Sequence, residues 1–166
     1  MARTPAHQPH WAEGLALDLL KQADASTSER QRKEADTQAL TALVCAQGPA
    51  FLDRLAGALT DAADYFNRVL DRAALRVTRS DIVGEVNAAG ICLQADYEWR
   101  VAVYPSWSAS DPDPALRIAR RDVGSFVVRF QANDGELQVV LAGASLNADQ
   151  LAENIVLGTR LTELVG

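Results

Sequence analysis

At Ala74 the spacing of apolar residues changes period, and that change dictates the class of fold. Before it, Phe51, Leu55, Leu59, Ala62, Phe66 and Val69 recur at three- and four-residue intervals and share one helical face. After it, Leu75, Val77, Ile91 and Leu93 fall in short runs. Tyr97, Trp99, Val101 and Val103 then alternate with Glu98 and Arg100, which puts the first four on one side of a strand. Runs of helix and runs of strand kept apart predict an α+β chain rather than alternating βαβ units. The expected architecture is two or three N-terminal helices, an antiparallel sheet of five or six strands in a hairpin-connected meander, and a C-terminal helix packed on the sheet.

A single domain over residues 1–166 is expected, with residues 1–10 irregular, 11–71 helical, 74–142 in the sheet and 147–165 in the last helix. Ala25-Ser26-Thr27-Ser28 reads as a break between two helices, with Ser28 placed to cap the second. Residues 29–47 are polar on every side at Glu29-Arg30-Gln31-Arg32-Lys33-Glu34 and apolar from Leu40 to Val44. The polar half therefore belongs on the surface, where it can reach a partner. Gly48-Pro49 either ends that helix or bends it, since proline in a helix interior removes one hydrogen bond and crowds the preceding turn.

Within the sheet, Ile82 and Val86 sit between breaks at Ser80-Asp81, Gly84 and Ala88-Ala89-Gly90. Asp111-Pro112-Asp113-Pro114 reads as a stiff acidic loop. Asn133-Asp134-Gly135 lies between Phe126-Val127-Val128-Arg129-Phe130 and Leu137-Gln138-Val139-Val140-Leu141. Asp-Gly supplies the positive φ angles of a two-residue hairpin turn. Asn147 with Gln150 forms a capping-box pattern, flanked by Leu146 and Leu151 in staple positions. The helix that follows offers Leu151, Ile155, Leu157, Leu161 and Leu164, and Gly158 interrupts it at a cost that close packing can offset.

Charge narrows the partners. Lys+Arg against Asp+Glu is 8 to 10 in residues 1–72, 7 to 9 in 73–146 and 1 to 3 in 147–166, so each stretch carries −2 of the total −6. No segment concentrates the cationic charge that phosphate-backbone binding needs, and nucleic acid is not an expected partner. No apolar run spans a bilayer, and the first ten residues lack the apolar stretch of a secretory signal. Fourteen of the sixteen cations are Arg, a bias that with abundant Ala points to GC-rich bacterial coding rather than to function. Cys45 and Cys92 lie far apart in apolar surroundings and outside any CxxC, so the expectation is two buried free thiols in a reducing cytoplasm.

Catalytic and cofactor signatures are sparse, and no cofactor or metal is expected. The histidines are His7 and His10, both in the proline-flanked N-terminal segment, whereas tuned acid–base chemistry favours a histidine on a rigid element. Asp61 with Asp64 and Asp111 with Asp113 read as a solvated helix face and a turn loop. Gly84 and Gly90 are isolated and form no phosphate-binding loop.

What remains is a surface. If Leu75/Val77, Trp99/Val101, Leu116/Ile118 and Val128/Phe130 face the core, then Arg76, Arg100, Arg117 and Arg129 point outward from four strands, with Arg120 and Arg121 near them. Such a row would make a cationic face on an acidic protein, suited to an acidic partner or a phosphate-bearing ligand; Glu98 and Glu136 are the carboxylates placed to pair with it. Tyr97 and Trp99 are expected in the core. Tyr104 and Trp107, beside Pro105 and a Ser-rich loop, are candidate anchors for a partner or ligand.

These residues favour a non-enzymatic cytoplasmic protein-binding module of chaperone, immunity/inhibitor or adaptor type, engaging a protein partner or a second copy through the sheet face and helices. The alternative is a small-ligand or lipid-binding domain with a cavity between the sheet and the C-terminal helix. A histidine-independent enzyme would further need Arg76, Arg100 or Arg129 to converge on a buried carboxylate.

Overall fold

The computed structural model describes residues 10–80, 90–108 and 110–159. Residues 1–38 and residues 39–166 form two compact units, each described by itself. The elements are helix α1 (His10–Leu70), strands β1 (Leu75–Ser80), β2 (Gly90–Ala95), β3 (Glu98–Ser106), β4 (Ala115–Arg120), β5 (Gly124–Asn133), β6 (Glu136–Leu141) and β7 (Ala144–Leu146), and helix α2 (Ala148–Gly158). The chain is thus α+β, with a long N-terminal helix, a seven-stranded antiparallel sheet and a C-terminal helix.

The two or three helices expected before the sheet are one helix, and both expected breaks have a local explanation. At the Ala25–Ser28 stretch the Thr27 hydroxyl donates to the Ala23 carbonyl at 2.9 Å. The side chain that was to compete with the helix bonds to its preceding turn instead. In the same unit Lys33 and Glu29 pair at 3.1 Å, one turn apart. Gly48-Pro49 stays helical because burial on both sides outweighs the lost hydrogen bond. Val44, Gly48, Phe51 and Leu52 are all buried, and a helix end here would strip that face.

Helix α1 stops at Leu70, where Asp71 takes a left-handed conformation (φ 53°). Asn67 then fixes the exit. Its side-chain amide donates to the Leu75 carbonyl and its oxygen accepts from the Leu75 N–H, both at 2.7 Å.

Each strand pairs with its neighbours in sequence, so the sheet order runs β1 to β7. The Asp134-Gly135 turn forms as its sequence requires, with φ of 50° and 76°. The sheet also gains β7, beyond the expected limit at residue 142, through an Ala142-Gly143 turn with φ of 52° and 80°. Alanine at a left-handed position is what hid that turn from the sequence. Ile82 and Val86 lie outside the described residues.

Residues 39–70 of α1 and the whole of α2 lie against one face of the sheet. Phe51, Leu55 and Leu59 share a single cluster with Leu151 and Ile155, and with Ile91, Leu93, Val101, Val103, Leu116, Ile118, Val128 and Val139 from the strands. Two residues expected on these helical faces are instead exposed, Val69 at the end of α1 and Leu157 in α2. Leu161 and Leu164 lie outside the described residues. Asn147 caps α2 as its sequence indicates. Its side chain accepts from the Gln150 N–H at 2.8 Å, while the Gln150 side chain accepts from the Asn147 N–H at 3.0 Å.

Two expectations of burial are corrected. Cys45 is exposed and Cys92 half-buried, both free. Cys45 follows Val44 on the helix, and one residue of rotation carries it off the buried face. Tyr97 is 95% exposed because it sits in the β2–β3 turn (φ 69°) rather than in the strand, and Trp99 is 40% exposed.

Candidate functional site

Cross-strand register fixes which side chains share a face. With Leu93, Val103, Ile118 and Val128 turned to the helices, the alternate positions face away from them. Tyr104 lies opposite Arg117, which lies opposite Val127. One row further on, Ser106, Ala115, Arg129, Val140 and Ser145 follow one another across β3 to β7. Arg117 and Arg129 therefore flank the exposed Val127 (53%) on neighbouring strands, with half-buried Tyr104 beside Arg117. Diagonal neighbours of this kind stand roughly 7–8 Å apart. No carboxylate occupies an outward position on β1 to β5; Glu136, opposite Asn133 at the hairpin end, is the first in the register.

Arg129 is held by Asp113 of the acidic loop at 3.2 Å. That loop is itself pinned. The Asp113 N–H donates to the Asp111 carboxylate at 2.9 Å, and the buried Thr41 hydroxyl donates to the Asp111 carbonyl at 2.7 Å. Asp111 thus closes a turn and Asp113 forms an ion pair, with the loop anchored on the buried Thr41.

The expected row of four arginines does not form. Arg76 lies on β1 opposite Gln94, which is opposite Trp99, at the other end of the face from Arg117. Arg100 leaves the row because β3 carries a bulge: Leu93 pairs with Val101 but Gln94 pairs with Trp99, and Arg100 is the extra residue. The same bulge reverses the alternation that would have buried Trp99 and places its indole on the open face. Trp107 is engaged rather than free. Its ring meets Phe130 edge-on at 5.4 Å and fills the space beside Gly48. Glu98 pairs with Arg121 at 3.2 Å.

At the bulge a second feature takes shape. A cavity of about 380 Å³ is lined by Glu98, Arg100, Arg120, Arg121, Asp122 and Gly158. Arg120 continues the inward phase of Leu116 and Ile118, so its guanidinium enters the covered side of the sheet. There it stands 5.6 Å from the Phe126 ring centre, with Nη1 3.5 Å from the Gly158 carbonyl. The signal for Arg120 was present in the sequence, as an arginine at the buried phase of β4. The Arg121 N–H donates to the Arg100 carbonyl at 3.1 Å, which ties the bulge to the end of β4.

Two further hollows are found among the described residues. One, of about 470 Å³, lies by Asn67, Arg76 and Tyr97; the other, of about 400 Å³, lies by Arg54, Glu136 and Asn147. Beside the latter, Arg54 forms two hydrogen bonds to Asp149, at 2.9 and 3.4 Å, which lower the Asp149 carboxyl below its ordinary range and raise the Arg54 guanidinium. Cys92 is shifted the other way: burial raises its thiol, and a hydrogen bond with Thr78 opposes that rise. No helix among the described residues is long and apolar enough to cross a membrane.

No family model, no curated protein and no solved structure matches this chain.

Proposed function

We propose that this chain is a non-enzymatic cytoplasmic protein-binding module, of the chaperone, inhibitor or adaptor kind, whose open sheet face receives an acidic protein surface. One observation carries this reading: both helices cover the same side of the sheet, and the uncovered side sets Tyr104 and Val127 beside Arg117 and Arg129, with Trp99 and Arg76 toward its other end. Aromatic and arginine side chains are the usual anchors of protein interfaces. Their positive charge stands on a chain of net charge −6, so this face would attract an acidic partner that the rest of the surface repels. A second copy is disfavoured by the same chemistry, since self-pairing would set arginines against arginines. Along Leu151 and Ile155 the space between α2 and the sheet is filled, since both are fully buried in one cluster with the strand residues, and a hollow opens beyond them at Gly158.

The test is purification from the native cells, with the tagged chain compared to an Arg117→Glu/Arg129→Glu variant. Support would be an acidic protein retained in stoichiometric amount by the parent chain, lost from the variant and weakened by salt. Equal retention by both chains, or a small molecule as the only companion, would overturn the proposal.

A further inference from the structure

The cavity at the β3 bulge is separate from the open face and has a chemistry of its own. Arg120 sends a guanidinium into the covered side of the sheet, beneath Gly158 at the end of α2. Room for it exists because residue 158 lacks a side chain: a β-carbon there would stand 2.5 Å from Nη2 and 2.7 Å from Nη1. The Arg120 Nε is buried and has no hydrogen-bond partner among the described residues. Leaving a buried donor unsatisfied is costly, so hydrogen bonding within the protein does not by itself account for where this guanidinium stands. Arg121, held at the rim by Glu98, and Arg100, projected by the bulge, bring two more guanidiniums to the same cavity. Glu98 and Asp122 share the lining with these three arginines.

We propose that this cavity binds the phosphate group of a small phosphorylated molecule. Guanidinium forks match the paired oxygens of phosphate, and a phosphomonoester carries about −1.5 to −2 charge at neutral pH, which suits it to a lining with more than one guanidinium. A volume of about 380 Å³ falls in the range of small-molecule sites, roughly 300–1,000 Å³, and leaves space for an organic group beyond the phosphate.

Isothermal titration with glycerol 3-phosphate, inorganic phosphate and glycerol separates the possibilities. Saturable binding of glycerol 3-phosphate, tighter than that of inorganic phosphate and absent for glycerol, is the expected result. Equal binding of the two phosphates would support the site and assign free phosphate as its ligand. Arg120→Gln should weaken binding about tenfold or more, equivalent to about 1.4 kcal/mol, while Arg76→Gln on the open face leaves it unchanged. Should Arg120→Gln lose its near-ultraviolet circular dichroism, Arg121→Gln at the exposed rim provides the same comparison. No saturation by either phosphate below about 10 mM, or parental affinity in a folded Arg120→Gln or Arg121→Gln protein, would overturn the proposal.

Discussion

A β-carbon at Gly48 would stand 2.7 Å from Cζ2 of Trp107, closer than real atoms approach. The indole meets Phe130 edge-on at 5.4 Å, and Phe130 meets Phe51 at 5.6 Å. From Gly48 to Phe51, one turn of α1 is therefore closed by two aromatic rings from the sheet side. Gly48→Ala raises helix propensity by about 1 kcal/mol but forces the indole aside. The net expectation is a loss of about 1–3 kcal/mol in urea unfolding. Combining it with Trp107→Leu should give less than the sum of the two losses, because both changes act on one contact. A Gly48→Ala protein as stable as its parent would contradict this account.

The cap of α2 invites a second measurement. Asn147→Ala removes the acceptor of the Gln150 N–H and should lower stability by about 1 kcal/mol, read as a lower thermal midpoint. Gln150→Ala removes the reciprocal bond, and the pair should again be less than additive.

Acid unfolding should report the Arg54–Asp149 pair. Hydrogen bonding to Arg54 keeps the folded-state Asp149 carboxyl below its ordinary value. Its contribution is thus complete above the ordinary carboxylate range and disappears as pH falls through the lowered value. Asp149→Asn should be slightly less stable than the parent at neutral pH, with the gap closing as pH falls through the lowered carboxyl value. Both side chains are more than half exposed, so added salt should also shrink the gap. A difference between the two proteins that is constant from neutral to acid pH would refute the assignment.

The cysteines should react at two rates. Cys45 is exposed on α1, whereas Cys92 is half-buried with its thiol raised by burial. Titration with a chromogenic disulfide should show one fast thiol, removed by Cys45→Ser, and one slow thiol that speeds up in urea. Two equal rates in the native protein would count against this placement.

What the sequence disclosed and what it hid follow from how local each determinant is. The Asp134-Gly135 turn and the Asn147–Gln150 cap rest on adjacent residues and formed as read. The helical stripe of Phe51, Leu55 and Leu59 was equally clear, because three residues at one phase outweigh any single neighbour. Ala25–Ser28 and Gly48-Pro49 carried true local preferences against helix; at the first the Thr27 hydroxyl is taken up by the Ala23 carbonyl within the helix, and the second is overridden by burial against the sheet. The bulge at Arg100 left no mark in the alternation, and that one extra residue sent Trp99 outward and dispersed the arginine row. Arg117, Arg129 and Tyr104 did come together, since all three lie beyond the bulge on strands in plain register.

The order of the strands has a consequence for how this molecule is made. Because each strand pairs with those beside it in sequence, every ladder from β1 to β7 closes a short loop, and topology of that kind favours fast folding. The ladders can assemble in the order in which a ribosome delivers them. Closure of the interior is different: Leu55 and Leu59 come from before the sheet, Leu151 and Ile155 from after it, and all four meet on one side. A nascent chain that has emerged only to β6 is therefore expected to hold a paired but half-covered sheet, with part of its apolar face open until Leu151 and Ile155 arrive. Synthesis itself would set the interval during which this protein is most open to aggregation.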